Sequence, residues 1–347
     1  MTLLVRDEAD IVDAQVAFHL GAGVDFVIAT DNLSEDGTTE ILERYAADGV
    51  LHLIRESGDD LRQTEWVTRM ARLAATEFGA DWVLNADADE FWWPHAGSLK
   101  ETLAAVPGRY GVVRGAWRNF VPRPDDARFF AERMTVRFCT PSFHPHPLST
   151  HSKSAHRAAP DVRVGRGNHE AFAEGLVPLR GWYPIEILHF PVRSLEHCLR
   201  KYVTQFVALE KNAEKGIPGH MAEAHDAYRA GRLEEFYAPL VVADDELERG
   251  VAVGTLTVDT RLRDALRSLG FGKGDASARD GRRSELTVGH PGVEESTLYA
   301  AESSALQESD LGLALGTRID DLEARLGRLE RRVLSRVWAA VLGGSGS

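Results

Sequence analysis

Four short apolar runs, separated by three stripes of helical period, occupy the first ninety residues and constrain what this chain can become. Leu3 to Val5 reads as a buried strand, and Asp10 is placed to cap a helix whose apolar face uses Ile11, Ala14, Phe18 and Ala22. Val24 to Ala29 is a second strand ending at Asp31. "DNLSEDGT" is loop chemistry, and Ile41, Leu42 and Tyr45 mark the next helix. Val50 to Ile54 gives a third strand. Trp66, Val67, Met70, Leu73, Ala74 and Phe78 form a helical stripe over 63–78, and Asp81 to Ala86 is a fourth strand ending at Asp87. Strands that alternate with helices need crossovers, so they build a mainly parallel sheet covered on both faces. Ligands of such sheets bind outside the carboxyl ends of the strands, where Asp31 and Asp87 both fall.

Beyond residue 110 the pattern turns mixed, with short strands expected at Gly111 to Arg114, Met134 to Phe138 and Ile185 to His189. Residues 194–215 and 220–237 read as helical. The Gly, Asp, Ser and Arg richness between Gly270 and Gly292 reads as a linker. Leu315, Ile319, Leu322, Leu326, Leu329 and Val333 then follow heptad spacing. The expected layout is a catalytic domain over 1–240, a helical extension over 241–270, a flexible linker over 271–304 and a coiled-coil-like helix over 305–342. That helix is expected to join chains into a homo-oligomer. Packing back on the domain is the alternative, as is a membrane surface, since Val337, Trp338, Val341 and Leu342 extend the apolar face beside Arg332 and Arg336.

A net charge of −13 over 347 residues argues against nucleic acid as partner, because phosphate-neutralising surfaces are basic. Two cysteines, Cys139 and Cys198, make neither a disulfide framework nor a thiolate zinc cluster. Arg6, Asp7 and Glu8 follow Leu3-Leu4-Val5 at once, so no signal peptide is expected, and a cytoplasmic location is the expectation.

The chemistry concentrates in "GADWVLNADADEFWWP" (Gly79 to Pro94), where Asp87, Asp89 and Glu90 end a buried strand beside Phe91, Trp92 and Trp93. Carboxylates this close repel one another and resist burial. Two of them, one residue apart on a turn, suit Mn2+ or Mg2+ through oxygen ligands. A solvated acidic turn is the other reading. An EF-hand loop counted from Asp87 would need Gly where Trp92 stands and Glu where Ser98 stands. A Walker-B strand would need a P-loop that is absent from the sequence.

"VRDEADIVDAQVAFHLGAGVDFVIATDNLSEDGTTEIL", "GADWVLNADADEFWW", "GNHEAF" and "EILHFPVRSLEHCLRKY", in that order, together resemble a glycosyltransferase of the family-2 type. The likeness is to the branch with an N-E-A-D-like start, here with Asp7 for Asn, and it spans roughly residues 3–210. It implies an α/β fold of the GT-A (Rossmann-like) type, and hexosyl transfer from a UDP- or GDP-linked nucleotide-diphosphate sugar to a glycan or small-molecule acceptor, with inversion. Carried over residue by residue, Asp31 faces the nucleobase and ribose, with Arg6 and Glu8 of the opening motif also at the nucleotide sugar. Asp87 lies near ribose and metal, Asp89 is a direct metal ligand, and His189 completes the metal's protein ligands. Lys201, Arg193 and Lys153 suit the diphosphate, or else are simply surface cations. Glu170 is the expected base, with His169 as rival, and Glu170 as a salt-bridging residue is the plain alternative. Trp92, Trp93 and Trp117 are candidate walls for sugar rings, and Phe143 to Arg157 reads as a loop. A nucleotidyltransferase would show a Gly-rich, Arg-ending loop where "VRDEAD" stands. A catalytically silent assembly protein of the same fold is the non-enzyme alternative.

Overall fold

The computed structural model describes residues 1–139, 142–143, 146–150, 152–211 and 219–272. The first half alternates as expected: β1 (Thr2–Val5), α1 (Val12–Gly21), β2 (Val27–Asn32), α2 (Thr38–Ala47), β3 (Leu51–Glu56), α3 (Gln63–Thr76) and β4 (Trp82–Asp87). Then come β5 (Glu90–Pro94), α4 (Leu99–Ala104), β6 (Val112–Asn119), α5 (Phe130–Arg133), β7 (Val136–Phe138), β8 (Ser142–Phe143), β9 (His146–Thr150) and β10 (Ser152–Arg157). β11 (Arg163–Val164), β12 (Ala171–Phe172) and β13 (Ile185–His189) precede α6 (Leu195–Cys198), a π-helical stretch (Leu199–Thr204) and α7 (Gln205–Lys211). α8 (Gly219–Arg229), α9 (Leu233–Tyr237), α10 (Asp244–Ala252), β14 (Leu256–Val258) and α11 (Arg261–Ser268) complete the described elements.

Eight strands form one sheet in the order β3-β2-β1-β4-β10-β6-β13-β5. The β3-β2-β1-β4 half is parallel throughout, as is β6 with β13, while β10 and β5 run antiparallel to their neighbours. This is a mixed, mainly parallel sheet with apolar clusters on both faces, as the alternating pattern of the sequence predicts. Side chains alternate across it with the strand period of two. Leu3, Val5, Val27 and Ala29 join the larger core with α1, whereas Ile28 and Val83 join Val67, Met70 and Ala74 of α3 on the other face.

Several local expectations need correction. Helix α1 has Ile11 at its N-cap and no side-chain cap, because Asp10 is bonded to Arg193 instead. The second strand starts at Val27, not Val24. Trp92 and Trp93 lie on β5, an inserted strand buried along its whole length; Trp92 is 0% exposed and Trp93 stacks on Phe18, so neither is a sugar wall. Lys153 sits on β10 in the middle of the sheet and not on a loop.

Residues 241–270 carry α10, β14 and α11. β14 pairs with β7, Leu262 and Leu266 enter the main core, and Phe271 packs there against Phe129. The rest of the expected linker and the heptad positions Leu315 to Val333 lie outside the described residues. Among the described residues no helix is long and apolar enough to cross a membrane.

Candidate active site at the carboxyl ends of the strands

In the parallel half, Val5 of β1 pairs with Asp31, and Leu4 pairs with Asp87, so both acids end strands on the same edge of the sheet. The connecting loops there hold backbone in the left-handed region at three non-glycine residues, Asp7 (φ 55°), Leu33 (φ 59°) and Asn168 (φ 61°). Such conformations cost energy and cluster where geometry serves a ligand.

Ala88 and Asp89 form the turn between β4 and β5, which brings Glu90 back beside the Asp87 backbone; the Asp87 N–H donates to Glu90 Oε2 at 3.2 Å. On the neighbouring strand His189 lies opposite Glu90, and on the far side opposite Asn119. Ligand atoms of Asp89, Glu90 and His189 thereby come within 4.8 Å of one another, all three buried. His189 Nε2 faces Asp89 Oδ2 at 3.5 Å. Glu90, quoted in the acidic stretch but left without a role, is the site residue that sequence reasoning missed. Asp87 lies beside this group: its Oδ1 accepts from Asn168 Nδ2 at 3.0 Å, and its Oδ2 accepts from Lys153, which Glu90 shares.

Two lysines face the acids, Lys153 buried and Lys201 half-buried. Lys201, on the π-helical stretch, donates to Asp89, and Lys153 lies 3.1 Å from Glu90 Oε1 as well as on Asp87. Burial alone would raise the Asp89 carboxyl, but Lys201, and with it Arg193, holds it well below the usual range. Glu90 goes the other way. Burial, with Asp87 and Asp89 adding to it against Lys153, pushes it up to about 8. Burial also lowers His189, keeping the imidazole neutral near pH 7 despite Asp89.

Trp117 lies at the centre of the group. Its Nε1–H donates to Glu90 Oε1 at 2.9 Å, its ring stacks on His189 at 4.2 Å, and Lys153 sits 5.4 Å from it. His169 meets its edge at 5.8 Å and gives its Nδ1–H to the Ser152 carbonyl at 2.7 Å. Gly167, with φ 66°, lies under this ring; a Cβ there would meet His169 Nε2 at 2.7 Å. Glu170 faces Arg114 Nη2 at 3.5 Å.

The remaining expected residues do not converge on the cluster as free groups. Arg193, 1% exposed, gives Nε and Nη2 to Asp10 at 2.6 and 2.8 Å and Nη2 also to Glu8, so these three close on each other and tie the β1–α1 loop to the segment after β13. Asp31 accepts from Ser34 N and Thr39 Oγ1 and shapes its own loop. Arg6 lines a small crevice with Asp7, Glu8, Arg200 and Lys201.

The donor set fits a divalent cation. Two carboxylates and a neutral imidazole combine hard oxygen with borderline nitrogen, a set suited to Mn2+ and compatible with Mg2+. Glu90 is pushed up chiefly by its burial, and Asp87 and Asp89 add to that push.

Neither a protein family nor a curated protein matches the chain. Among solved structures, S. aureus TarS 1–349 in complex with UDP-GlcNAc is 11% identical, aligned over 91% of this chain and 91% of that one, with a TM-score of 0.35. TarS 1–349 in complex with UDP is 12% identical over 82% of this chain and 97% of that one, with a TM-score of 0.34. A 4-diphosphocytidyl-2C-methyl-D-erythritol synthase is 12% identical over 45% and 72%, with a TM-score of 0.25. The chain spans 43% of the longer TarS chain that it also matches. At these identities and TM-scores the likenesses assign no activity to this chain.

Proposed function

We propose that this chain is a glycosyltransferase dependent on Mn2+ or Mg2+, moving a hexosyl group from a UDP- or GDP-linked sugar to an acceptor hydroxyl with inversion. The observation that carries the reading is the convergence of Asp89, Glu90 and His189 at the carboxyl ends of the strands. These three residues would hold the cation. When bound, it supplies Lewis-acid stabilisation of the departing diphosphate. Lys201 and Lys153 bring fixed positive charge to the same place, where diphosphate oxygens compete with Asp89 and Asp87 for the ammonium groups. Trp117, half-buried and at the cluster's centre, offers an apolar face to the sugar ring.

The acceptor hydroxyl must lose a proton as it attacks. His169 is favoured for that role over Glu170, because its ring meets the edge of Trp117 at the cluster, while Glu170 faces Arg114. The test is turnover of a panel of nucleotide sugars, UDP-GlcNAc among them, with Mn2+ and with EDTA. Release of nucleoside diphosphate from at least one donor, abolished by EDTA, is the expected result. Turnover of a donor at full rate in EDTA contradicts the metal dependence, and nucleoside monophosphate with pyrophosphate as the products contradicts sugar transfer.

A further inference from the structure

Asn119 takes no part in the chemistry above, yet it is built into the cluster. It ends β6, is 1% exposed, and lies opposite His189 in the parallel β6–β13 register. Its Oδ1 accepts the Nδ1–H of His189 at 2.6 Å. A neutral imidazole has one N–H, so giving it from Nδ1 leaves the lone pair on Nε2. Nε2 is the atom that faces Asp89 Oδ2, at 3.5 Å, longer than an ordinary N–H···O hydrogen bond. Trp117, two residues earlier on β6, supplies the second restraint by stacking on the same ring with 23° between the planes. The stack sets the plane of the ring, and the amide sets its proton.

The asparagine stays there at a cost. Its Nδ2 is buried without a hydrogen-bond partner, and such an orphan costs about 1–3 kcal/mol. A leucine of nearly the same shape would avoid that cost but leave the buried His189 Nδ1–H without this acceptor, so the Nδ2 group gives no reason for an amide at this position. The oxygen does.

We propose that Asn119 is a positioning residue: it holds His189 as the Nδ1–H tautomer, so that Nε2 presents its lone pair to a divalent cation shared with Asp89 and Glu90. The inference rests on the metal-binding reading above. Ligating histidines oriented this way through their other nitrogen lose roughly 10–100-fold in metal affinity when the partner is removed.

The test has two readouts besides activity. The first is 15N NMR of the imidazole nitrogens in the cation-free chain, with His189→Gln to identify the His189 signals. The second is calorimetric titration with Mn2+. Wild type is expected to show Nδ1–H at His189. Asn119→Leu should lose that preference and bind Mn2+ roughly 10–100-fold more weakly. Asn119→Asp, which keeps an acceptor oxygen, should restore both, and Asn119→Ala replaces the leucine variant if that one does not fold. An Nε2–H tautomer in wild type, or Asn119→Leu and Asn119→Ala with wild-type tautomer and affinity, overturns the proposal. Wild type that binds no Mn2+ overturns the metal reading and this proposal with it, whereas a tautomer indifferent to Asn119 overturns the proposal alone.

Discussion

Strands β6 and β13 each feed two buried clusters of polar groups, a residue or three apart. Arg118 and Glu186 join Arg261, Asp259 and Arg137; Asn119 and His189 join Asp89, Glu90 and the two lysines. In the first cluster Arg118 Nε donates to Glu186 at 2.6 Å and Arg261 Nη1 at 2.9 Å, while Arg261 and Arg137 close on Asp259. Guanidinium forks match carboxylate oxygens in pairs and satisfy them. Burial would raise the Glu186 carboxyl, but Arg118 and Arg261 hold it far below the usual range. In the second cluster three carboxylates face two ammonium point charges, and Glu90 rises to about 8. Buried charge is therefore no sign of chemistry by itself. A cluster closed by arginine forks staples α11 to the sheet, whereas the other brings ligand atoms of Asp89, Glu90 and His189 within 4.8 Å of one another at the strand ends.

The largest effect should fall on the second cluster. Asp89→Ala is expected to leave the chain folded by circular dichroism and to lower transfer by ~10²-fold or more, because a ligand to the cation is gone. Wild-type transfer in that variant breaks the comparison. Of the two candidate bases, His169→Ala is expected to lower transfer by roughly 10²-fold or more with donor affinity little changed. Normal turnover there, with loss in Glu170→Gln, moves the base to Glu170.

Glu186→Gln should behave in the opposite sense. It removes the carboxylate that Arg118 and Arg261 share and should cost roughly 3–5 kcal/mol in urea unfolding, with Mn2+ affinity of the folded fraction unchanged. Lost Mn2+ affinity without lost stability would merge the two clusters into one site.

The smallest effect concerns a buried histidine with no chemistry. His19 gives Nδ1–H to the Gln15 carbonyl and accepts from Trp92 N on Nε2, and burial lowers it to about 3. Between the ordinary histidine value near 6.5 and about 3 the unfolded chain binds a proton that the folded chain refuses. Its contribution is thus complete above pH 6.5 and declines by about 1.4 kcal/mol per pH unit below it. Unfolding free energies from pH 7 to 5 should fall less steeply in His19→Gln than in wild type. Equal slopes would contradict the assignment.

How much of this was legible depends on sequence distance. The β1 to β4 alternation is local, and so it shows in the apolar periods. Strand β5 does not show, because "EFWWP" follows β4 after a two-residue turn and alternates nothing, being buried on both sides. β10 is hidden for the opposite reason: Ser152, Lys153, Ser154 and His156 are polar residues buried in mid-sheet, a placement that partners supplied from β4 and the 166–169 segment make tolerable. The pairing of Glu8 with Arg193 joins residues 185 apart and leaves no periodic trace. Glu90 had one available signal, its place directly after Asp89 at the mouth of an apolar run, which a search for D-x-D passes over.

Calorimetric titration of UDP and of GDP, each with Mn2+ and with EDTA, tests most directly whether cation and nucleotide meet at Asp89, Glu90 and His189. One of the two should bind wild type in Mn2+, at least about tenfold more weakly in EDTA, in line with the loss of a metal bridge worth more than 1.4 kcal/mol, and neither should bind Asp89→Ala. Equal affinity in Mn2+ and EDTA, or undiminished binding to Asp89→Ala, would contradict a metal-dependent nucleotide-sugar site.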